Sequence, residues 1–208
     1  MEFKKKSAED FVQELSSSAP VPGGGGASAL SASIGMALGT MVSSLTIGKK
    51  KYAIYEDELK ELKQEALQIQ ENLLNLIDRD ADGFLPLSKA YGLPHSTEEE
   101  IEERNRVMEE ALVGACQAPL EIMENIARAI EITQIFAEKG SKLAISDAGV
   151  SAAILGASLK GASLNVFINT KMLKDREIAD RIDRRAESLI QEYSLRADSI
   201  FEYVRKNL

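Results

Sequence analysis

Three carboxylates stand at alternate positions in one short stretch: Asp78, Asp80 and Asp82. The apolar pattern before them predicts that they crowd the C-terminal end of a helix. There, the negative end of the helix dipole and mutual repulsion raise their pKa values. A carboxyl group with a raised pKa suits general acid or base catalysis. On spacing alone, three solvated surface carboxylates are the alternative.

A second stretch that could take part in binding or catalysis is S-A-P-V-P-G-G-G-G at residues 18–26, which leads into an uncharged segment at 27–47. Its four glycines predict a turn that takes positive φ and approaches another group closely. The uncharged segment predicts a buried helix. A turn feeding a helix N-terminus offers N–H groups to an anion or polar ligand, and close crossing of two helices is the alternative. The spacing matches neither a dinucleotide fingerprint nor a phosphate-binding loop.

Charged residues flank the ends of the two helices that are richest in small residues. The run Lys49, Lys50 and Lys51 follows the first of them and suits either the negative end of its dipole or a ligand that carries carboxylates. Asp147 precedes the second and is predicted to be its N-cap, with a catalytic role left open beside it.

These motifs together resemble the cyclodeaminase family: the C-terminal half of formimidoyltransferase-cyclodeaminase and its stand-alone bacterial relatives, some of which are methenyltetrahydrofolate cyclohydrolases. The resemblance covers roughly residues 11–205 and is most specific in P-V-P-G-G-G-G and its continuation to Gly48. Further matches are D-R-D-A-D-G-F at 78–84, A-P at 118–119, S-D at 146–147 and N-V-F-I-N at 165–169. Ser141 departs from the family, where an asparagine is expected.

The resemblance implies an enzyme that converts formimino-tetrahydrofolate to methenyl-tetrahydrofolate with release of ammonia. The alternatives are hydrolysis of the methenyl bridge and, because of Ser141, a catalytically silent helical assembly or folate-binding module. The deamination needs a base and then an acid, with no metal and no cofactor beyond the tetrahydrofolate carrier. We expect tetrahydrofolate derivatives, including polyglutamylated ones, as ligands, and a separate formimidoyltransferase as the source of the formimino substrate.

The resemblance favours Asp80 for the proton transfer, and Asp147 is the second predicted catalytic residue. Contacts with the substrate are expected from the glycine turn, from the lysine run with the tyrosine after it, and from two asparagine amides. These residues are Pro22, Gly23, Gly24, Gly25, Gly26, Lys49, Lys50, Lys51, Tyr52, Asn165 and Asn169.

The elements that must position these residues are all predicted to be helical. A short helix capped by Ser7 precedes the uncharged one, and a long amphipathic helix covers 52–82. The next starts at Ser96-Thr97, is kinked or restarted at Pro119 and stops at Gly140. A second small-residue helix at 148–169 and a charged helix at 175–206 follow. We therefore predict an all-α, multi-helical bundle, one domain over 1–208, with the two small-residue helices buried at its centre.

Residues 52–113 are predicted to form a long antiparallel helical hairpin. Its apolar stripe extends over about eight turns, or about 45 Å, which exceeds the diameter of a compact domain of this size. The far end therefore needs a cover. The resemblance points the same way, so we expect a homodimer in which the hairpin reaches into the partner.

Composition excludes several function classes. The chain has 25 basic and 33 acidic residues, and a net charge of −8 disfavours a nucleic-acid surface. The basic start lacks an apolar core, so it predicts no signal peptide, and a single cysteine, Cys116, fits a reducing cytoplasm. His95 has no metal-ligand partner in sequence, and no metal site is expected. Residues 20–48 could span a bilayer by length, but their Ser, Thr, Gly and Ala content predicts no membrane span.

Overall fold

The structure of this chain is a computed structural model that describes residues 2–208, and all regular secondary structure in that range is helical. The α-helices are α1 (Ala8–Leu15), α2 (Gly24–Ser44), α3 (Glu56–Tyr91), α4 (Glu98–Lys139), α5 (Ile145–Thr170) and α6 (Arg176–Lys206). Short 3₁₀ helices precede α1, α3 and α5 at Phe3–Lys5, Lys50–Tyr55 and Lys142–Ala144. The predicted all-α bundle is confirmed.

Side-chain caps fix the starts of three helices. The Ser7 hydroxyl accepts a hydrogen bond from the Asp10 N–H and caps α1. At the start of α4, Thr97 and Glu100 form a reciprocal capping box. Asp175 accepts two backbone N–H bonds at the start of α6. Each of these helix starts lies within one residue of its predicted position.

The two small-residue helices, α2 and α5, lie antiparallel at the centre of the bundle. The Ser151 hydroxyl of α5 donates to the Gly35 carbonyl of α2 over 2.6 Å, and a β-carbon on Gly35 would lie 3.1 Å from Leu155. On the other side of α5, a β-carbon on Gly149 would lie 2.9 Å from Val204 of α6. Missing side chains thus permit this close packing, as the sequence predicts.

The remaining helices flank this central pair. α3 packs beside α2, α6 packs beside α5, and α4 contacts all four of them. The main core lies between these helices and is filled mostly by Leu, Ile, Ala and Met side chains. A smaller apolar cluster joins the distal part of the α3–α4 pair to the segment before α6. α4 therefore covers one side of the α2–α5 pair.

A hairpin is formed by α3 and α4, which run antiparallel and are joined by ion pairs such as Glu65–Arg128 and Glu58–Lys139. Its second arm extends to Lys139, well past the predicted bounds of 52–113. Its apolar stripe is covered inside the same chain, however. Leu59, Leu73 and Leu76 are buried in the main core. The uncovered stripe that motivated dimerisation through the hairpin is thus absent over this part of α3, and that mode of assembly stays a prediction.

The long helix extends further than predicted. α3 continues to Tyr91, with Pro86 inside it, so Asp78, Asp80 and Asp82 lie in its interior and not at its end. The expectation that a helix dipole acts on them was wrong. Apolar residues that follow the predicted stripe, such as Leu87, pack in the second apolar cluster. This packing stabilises the part of α3 that follows the carboxylates.

Two elements, Gly24–Ser44 and Lys142–Thr170, are long and apolar enough to cross a membrane by length and composition. Of their most apolar windows, 61% and 50% of the residues are buried inside the protein. Helices that are apolar on all sides are also what the centre of a bundle requires. The absence of a membrane span and the cytoplasmic location stay predictions.

Candidate active site

A pocket of about 170 Å³ opens where the N-terminus of α2 meets α3, α4 and α5. It unites Asp80, Gly23, Gly24 and the two asparagines, which the sequence predicts as separate site residues, whereas the predicted Pro22, Gly25 and Gly26 do not line it. The lining residues are Pro20, Val21, Gly23, Gly24, Asp80, Phe84, Ala115, Pro119, Asn165, Ile168 and Asn169.

The glycine segment is not the turn that the sequence predicts. α2 begins at Gly24, so Gly24, Gly25 and Gly26 form its first turn, and within residues 2–208 only Gly48 has positive φ. Pro22 stands before the helix in a cis peptide bond with Val21. Here the glycines serve close approach and not an unusual backbone conformation.

The need for glycine is greatest at Gly25. A β-carbon there would lie 2.2 Å from the Asp80 Oδ1 atom, well inside van der Waals contact. A β-carbon on Gly24 would lie 3.1 Å from the Asn165 amide. The first turn of α2 thus makes room for a carboxyl group and an amide from two neighbouring helices.

The Asp80 carboxyl group is largely withdrawn from water. Its Oδ2 atom accepts a hydrogen bond of 2.9 Å from the Gly26 N–H, at the positive end of the α2 dipole. Burial raises the pKa of Asp80 to about 6, because desolvation outweighs the opposing effect of that hydrogen bond. A carboxyl group with this pKa exchanges a proton readily near neutral pH.

The asparagine amides hold the pocket wall together. Asn165 Nδ2 donates to the Gly161 carbonyl over 3.0 Å. Asn169 Nδ2 donates to the carbonyls of Asn165 and Ala115, over 2.9 and 3.2 Å. Asn169 uses both amide hydrogens in these bonds, whereas Asn165 uses one, so a ligand can meet an N–H of Asn165 and the side-chain oxygen of either residue.

The bond from Asn169 explains how Pro119 is accommodated within α4. A proline has no N–H to donate to the carbonyl four residues earlier, which here belongs to Ala115. Asn169 supplies the missing donor from α5. α4 therefore continues through Pro119 as one helix, Glu98–Lys139, and the predicted restart there was wrong.

Sequence reasoning missed several pocket residues. Phe84, Pro119 and Ile168 line the pocket but were not predicted as site residues. Phe84 follows Asp80 by four positions, which places both on one face of a helix, so helical spacing was the available signal. Ile168 follows Asn165 by three positions, so the same helical spacing was available for it.

The predicted lysine site lies at the other end of the bundle. α2 has 21 residues and is about 30 Å long. The run Lys49, Lys50, Lys51 and Tyr52 follows its far end, where Lys49 Nζ donates to the Ser141 hydroxyl over 3.1 Å. The Tyr52 hydroxyl accepts a 3.1 Å bond from the Lys142 N–H, which lowers the pKa of Tyr52. Within one chain, these residues and Asp80 do not meet.

Asp147 also lies at that far end. α5 starts at Ile145 with Ala144 as its N-cap, so Asp147 belongs to the first turn, and its predicted capping role was wrong. The 3₁₀ turn Lys142–Ala144 leads directly into α5, so the helix begins before Asp147. Asp147 is 18 residues, or about 27 Å along the helix, from Asn165. Its catalytic role stays a prediction.

Neither Cys116 nor a cluster of metal ligands contributes chemistry to this site among the residues that the structure describes. Cys116 is 1% exposed, and burial raises the pKa of its thiol to about 12, which confirms packing over nucleophilic reactivity. Among residues 2–208, no three His, Cys, Asp or Glu side chains are grouped closely enough to hold a metal ion.

The fold and pocket define a helical-bundle protein with a half-buried carboxyl group of raised pKa at a glycine-lined helix N-terminus. Residues 7–188 match the family model described as formiminotransferase-cyclodeaminase. The chain therefore belongs to the formiminotransferase-cyclodeaminase family, and the resemblance stated from its motifs is confirmed.

Similar proteins agree with this assignment. The chain is 40% identical to a methenyltetrahydrofolate cyclohydrolase of Methylorubrum extorquens, over 96% of both chains. It is 31% identical to mouse formimidoyltransferase-cyclodeaminase over 92% of its own length, and spans only 35% of that longer protein. A formiminotetrahydrofolate cyclodeaminase from Thermotoga maritima shares the fold, with a TM-score of 0.82 and 24% identity over 99% of this chain and 96% of that one. The predicted enzyme class, cyclodeaminase or cyclohydrolase, is confirmed at that level.

Proposed function

We propose that this chain hydrolyses the methenyl bridge of methenyl-tetrahydrofolate to give formyl-tetrahydrofolate. The observation that carries the proposal is the half-buried Asp80 carboxyl group, which accepts a hydrogen bond from the Gly26 N–H and lines the pocket. The choice of hydrolysis over deamination is supported by the likeness to the Methylorubrum cyclohydrolase over nearly the full length of both chains.

In the first step, ionised Asp80 acts as a general base. The methenyl carbon lies between two nitrogens that share a positive charge, and a neighbouring carboxylate stabilises that cation. Asp80 takes a proton from a water molecule as the water oxygen bonds to this carbon. The product of the step is a tetrahedral carbon that carries a hydroxyl group and both nitrogens.

In the second step, protonated Asp80 acts as a general acid. It returns its proton to one of the two nitrogens, and the bond between that nitrogen and the carbon breaks. The hydroxyl oxygen becomes the formyl oxygen as its proton is lost to solvent. A pKa of about 6 suits both roles, because the group is ionised before the first step and remains a competent acid after it. Asp80 is the only side chain that transfers a proton in this scheme, solvent takes up the hydroxyl proton, and no cofactor beyond the folate carrier takes part.

The pocket offers distinct surfaces to the ligand. Phe84, Val21 and Ile168 supply apolar walls for a ring system, while the side-chain oxygens of Asn165 and Asn169 supply acceptors. The N-cap residue of α2, Gly23, lets the ring approach the backbone closely, because a β-carbon there would have no neighbour within 4 Å.

Deamination of formimino-tetrahydrofolate is the second candidate, favoured by the names of the mouse and Thermotoga relatives. There, Asp80 would accept a proton as the second folate nitrogen attacks the formimino carbon, and would return it to the departing ammonia. That reaction needs a separate formimidoyltransferase to supply its substrate. A catalytically silent module is disfavoured by the raised pKa of Asp80, because strongly perturbed pKa values are concentrated at functional sites.

Turnover measured with each substrate separates these functions. Purified protein is mixed with methenyl- and then with formimino-tetrahydrofolate, while the methenyl chromophore and free ammonia are followed. Hydrolysis predicts accelerated loss of the chromophore and solvent oxygen in the formyl group. Deamination predicts appearance of the chromophore with one ammonia for each turnover. Folate binding by calorimetry without either reaction would leave only the silent module.

A further inference from the structure

A second cavity lies between the C-terminal parts of α4 and α6, and we call it the α4–α6 cavity. Its volume is about 230 Å³, against about 170 Å³ for the Asp80 pocket. Gln134 of the cavity and Pro119 of the pocket are about 22 Å apart along α4. The two sites share no residue, so the α4–α6 cavity is a separate place at which a small molecule can bind.

The floor of the α4–α6 cavity is apolar and its rim is charged. Ala137 and Ile200 line the cavity and are buried, with 2% and 3% of their surface exposed. Glu138 of α4 and Arg196 of α6 line the same cavity and are accessible to solvent. Buried apolar contact combined with a few fixed charges is the composition that orients a small polar ligand.

Arg196 has hydrogen-bond donors to spare. Its Nε atom donates to the side-chain oxygen of Gln134 over 2.7 Å, and its Nη1 atom lies 3.5 Å from Glu131. Glu131 has closer partners in Arg128 and Tyr193, at 2.6 and 2.7 Å. A guanidinium group carries five N–H donors in a planar fork that matches a carboxylate. Arg196 can therefore bind a ligand carboxylate without giving up these contacts.

Glu138 supplies the opposite charge. One of its oxygens accepts a 2.8 Å bond from Gln134 Nε2, and among residues 2–208 no cation lies within ion-pair distance of it. The neighbouring Lys139 is directed towards α3, where it pairs with Glu58. Glu138 also belongs to the last turn of α4, where the negative end of the helix dipole favours a cation. This side of the cavity therefore suits an ammonium group.

The Gln134 amide fixes the distance between the two charges. Its oxygen accepts from Arg196 over 2.7 Å, and its nitrogen donates to Glu138 over 2.8 Å. With one amide group between these bonds, the guanidinium and carboxylate atoms lie at most about 8 Å apart. An α-amino acid that bonds one group through its carboxylate and the other through its ammonium spans roughly the same distance. The charges thus have the spacing of an amino-acid head group.

A second cation stands at the edge of the cavity. Lys142 Nζ lies 5.7 Å from the centre of the Tyr203 ring, which lines the cavity. Within the described part of the chain, no carboxylate lies within ion-pair distance of this ammonium group. The cavity is therefore bordered by two cations, Arg196 and Lys142, and by one anion, Glu138. The complement of this set is a ligand with two carboxylates and one ammonium group.

We propose that the α4–α6 cavity binds a free acidic α-amino acid. Its α-carboxylate bonds Arg196, its ammonium group bonds Glu138, its side-chain carboxylate faces Lys142, and its methylene carbons pack on Ala137 and Ile200. The volume of the cavity equals roughly seven or eight molecules of liquid water, which suits a ligand of about ten non-hydrogen atoms such as glutamate. The proposal is independent of the folate reaction.

Calorimetry with L-glutamate as the probe tests the ligand class. We expect saturable binding to the wild-type protein with a dissociation constant of about 1 mM or below, as for other ligands of about ten atoms. L-glutamine, glutarate and N-acetyl-L-glutamate each lack one of the three charges and should bind at least about 10-fold more weakly. No saturation by L-glutamate up to about 20 mM, or equal binding of glutarate, would overturn the proposal.

Charge-removing variants test the two sides of the cavity. Glu138→Gln should weaken L-glutamate binding by about 10- to 100-fold, because the ammonium group loses its ionic partner. Lys142→Gln should remove the preference for L-glutamate over L-glutamine. Glu102→Gln, at an exposed position of α4 far from the cavity, is the matched control and should bind as the wild type does. Wild-type affinity in Glu138→Gln would refute the assignment.

Filling the cavity tests its location. Ser199→Trp places a large side chain in the cavity from its exposed rim and should abolish the heat of glutamate binding. Leu195→Trp makes the same change one turn earlier on α6, at a residue that is 70% exposed and does not line the cavity, and should bind glutamate normally. Helical circular dichroism and the thermal midpoint verify that both variants are folded. Glutamate binding that persists in folded Ser199→Trp would place the ligand elsewhere and refute the proposal.

Discussion

The burial of Asp80 predicts that replacing it will stabilise the protein while destroying its activity. The pKa of this group is 3.8 in an unfolded reference chain and about 6 in the folded protein. Folding therefore favours the protonated form. The stability contributed by Asp80 is fully present below pH 3.8 and is lost as the pH rises through about 6. An asparagine has no charge to bury and escapes this loss.

The size of the effect follows from the two pKa values. Each unit of difference between the folded and unfolded pKa values corresponds to about 1.4 kcal/mol, so ionisation of Asp80 lowers the free energy of unfolding by about 3 kcal/mol at pH 8. At pH 5, where the folded group is mostly protonated, the same relation gives about 1.6 kcal/mol. Any stability that is lost because an amide replaces the carboxyl group at position 80 is the same at both pH values. The free energy gained by Asp80→Asn should thus be about 1.4 kcal/mol larger at pH 8 than at pH 5.

Urea unfolding of wild type and Asp80→Asn at the two pH values measures this difference. Asp57→Asn, which removes an exposed carboxylate from the first turn of the same helix, is the matched control and should show no comparable pH dependence. Turnover of Asp80→Asn should fall by about two to four orders of magnitude, and the acid limb of the wild-type kcat/KM profile should lie near pH 6. A gain that is equal at pH 5 and pH 8 would show that Asp80 is not desolvated and would refute the reasoning.

Three further predictions concern the packing around the pocket. Gly25→Ala should lower turnover at least about 100-fold by displacing the Asp80 carboxyl group. The control Gly114→Ala, whose β-carbon would meet nothing within 4 Å, should keep full activity. Equal activities of the two variants would contradict the contact between position 25 and Asp80. Asn169→Ala should destabilise the wild type by about 1–3 kcal/mol. In a Pro119→Ala background the loss should be smaller, because the new backbone N–H can donate to the same Ala115 carbonyl. Additive losses in a double-mutant cycle would show that Asn169 does not replace the missing proline N–H. Cys116 should react with a thiol reagent only at the rate of unfolding, and fast labelling of native protein would show that the thiol is accessible.

Much of the fold was predictable because its signals are local. The starts predicted at Ser7, at Ser96-Thr97 and at 175 are read from adjacent residues, and each lies within one residue of a helix start in the structure. The length of α3 was not predictable in this way. Its extension past Asp82 depends on packing of Leu87 against residues that are remote in sequence.

The site was predictable in its residues but not in its geometry. The motif containing Asp80 and the glycine segment could be recognised separately, yet no sequence pattern shows that Gly25 lies against Asp80. The predicted cause of the raised pKa was also wrong: burial, and not a helix dipole, raises it. The donor from Asn169 to the Ala115 carbonyl involves residues 54 positions apart and had no local signal.

The contact between Gly25 and Asp80 has a consequence for how the family can diverge. A β-carbon at position 25 would lie 2.2 Å from the carboxyl group at position 80 and would displace it, so neither position can drift alone while the chemistry is kept. A lineage that loses the carboxylate also loses the constraint on the glycine, and alanine is the better residue inside a helix. Homologues with a side chain at position 25 are therefore expected to be descendants that have abandoned catalysis, and this pair of positions separates them from working enzymes before any assay.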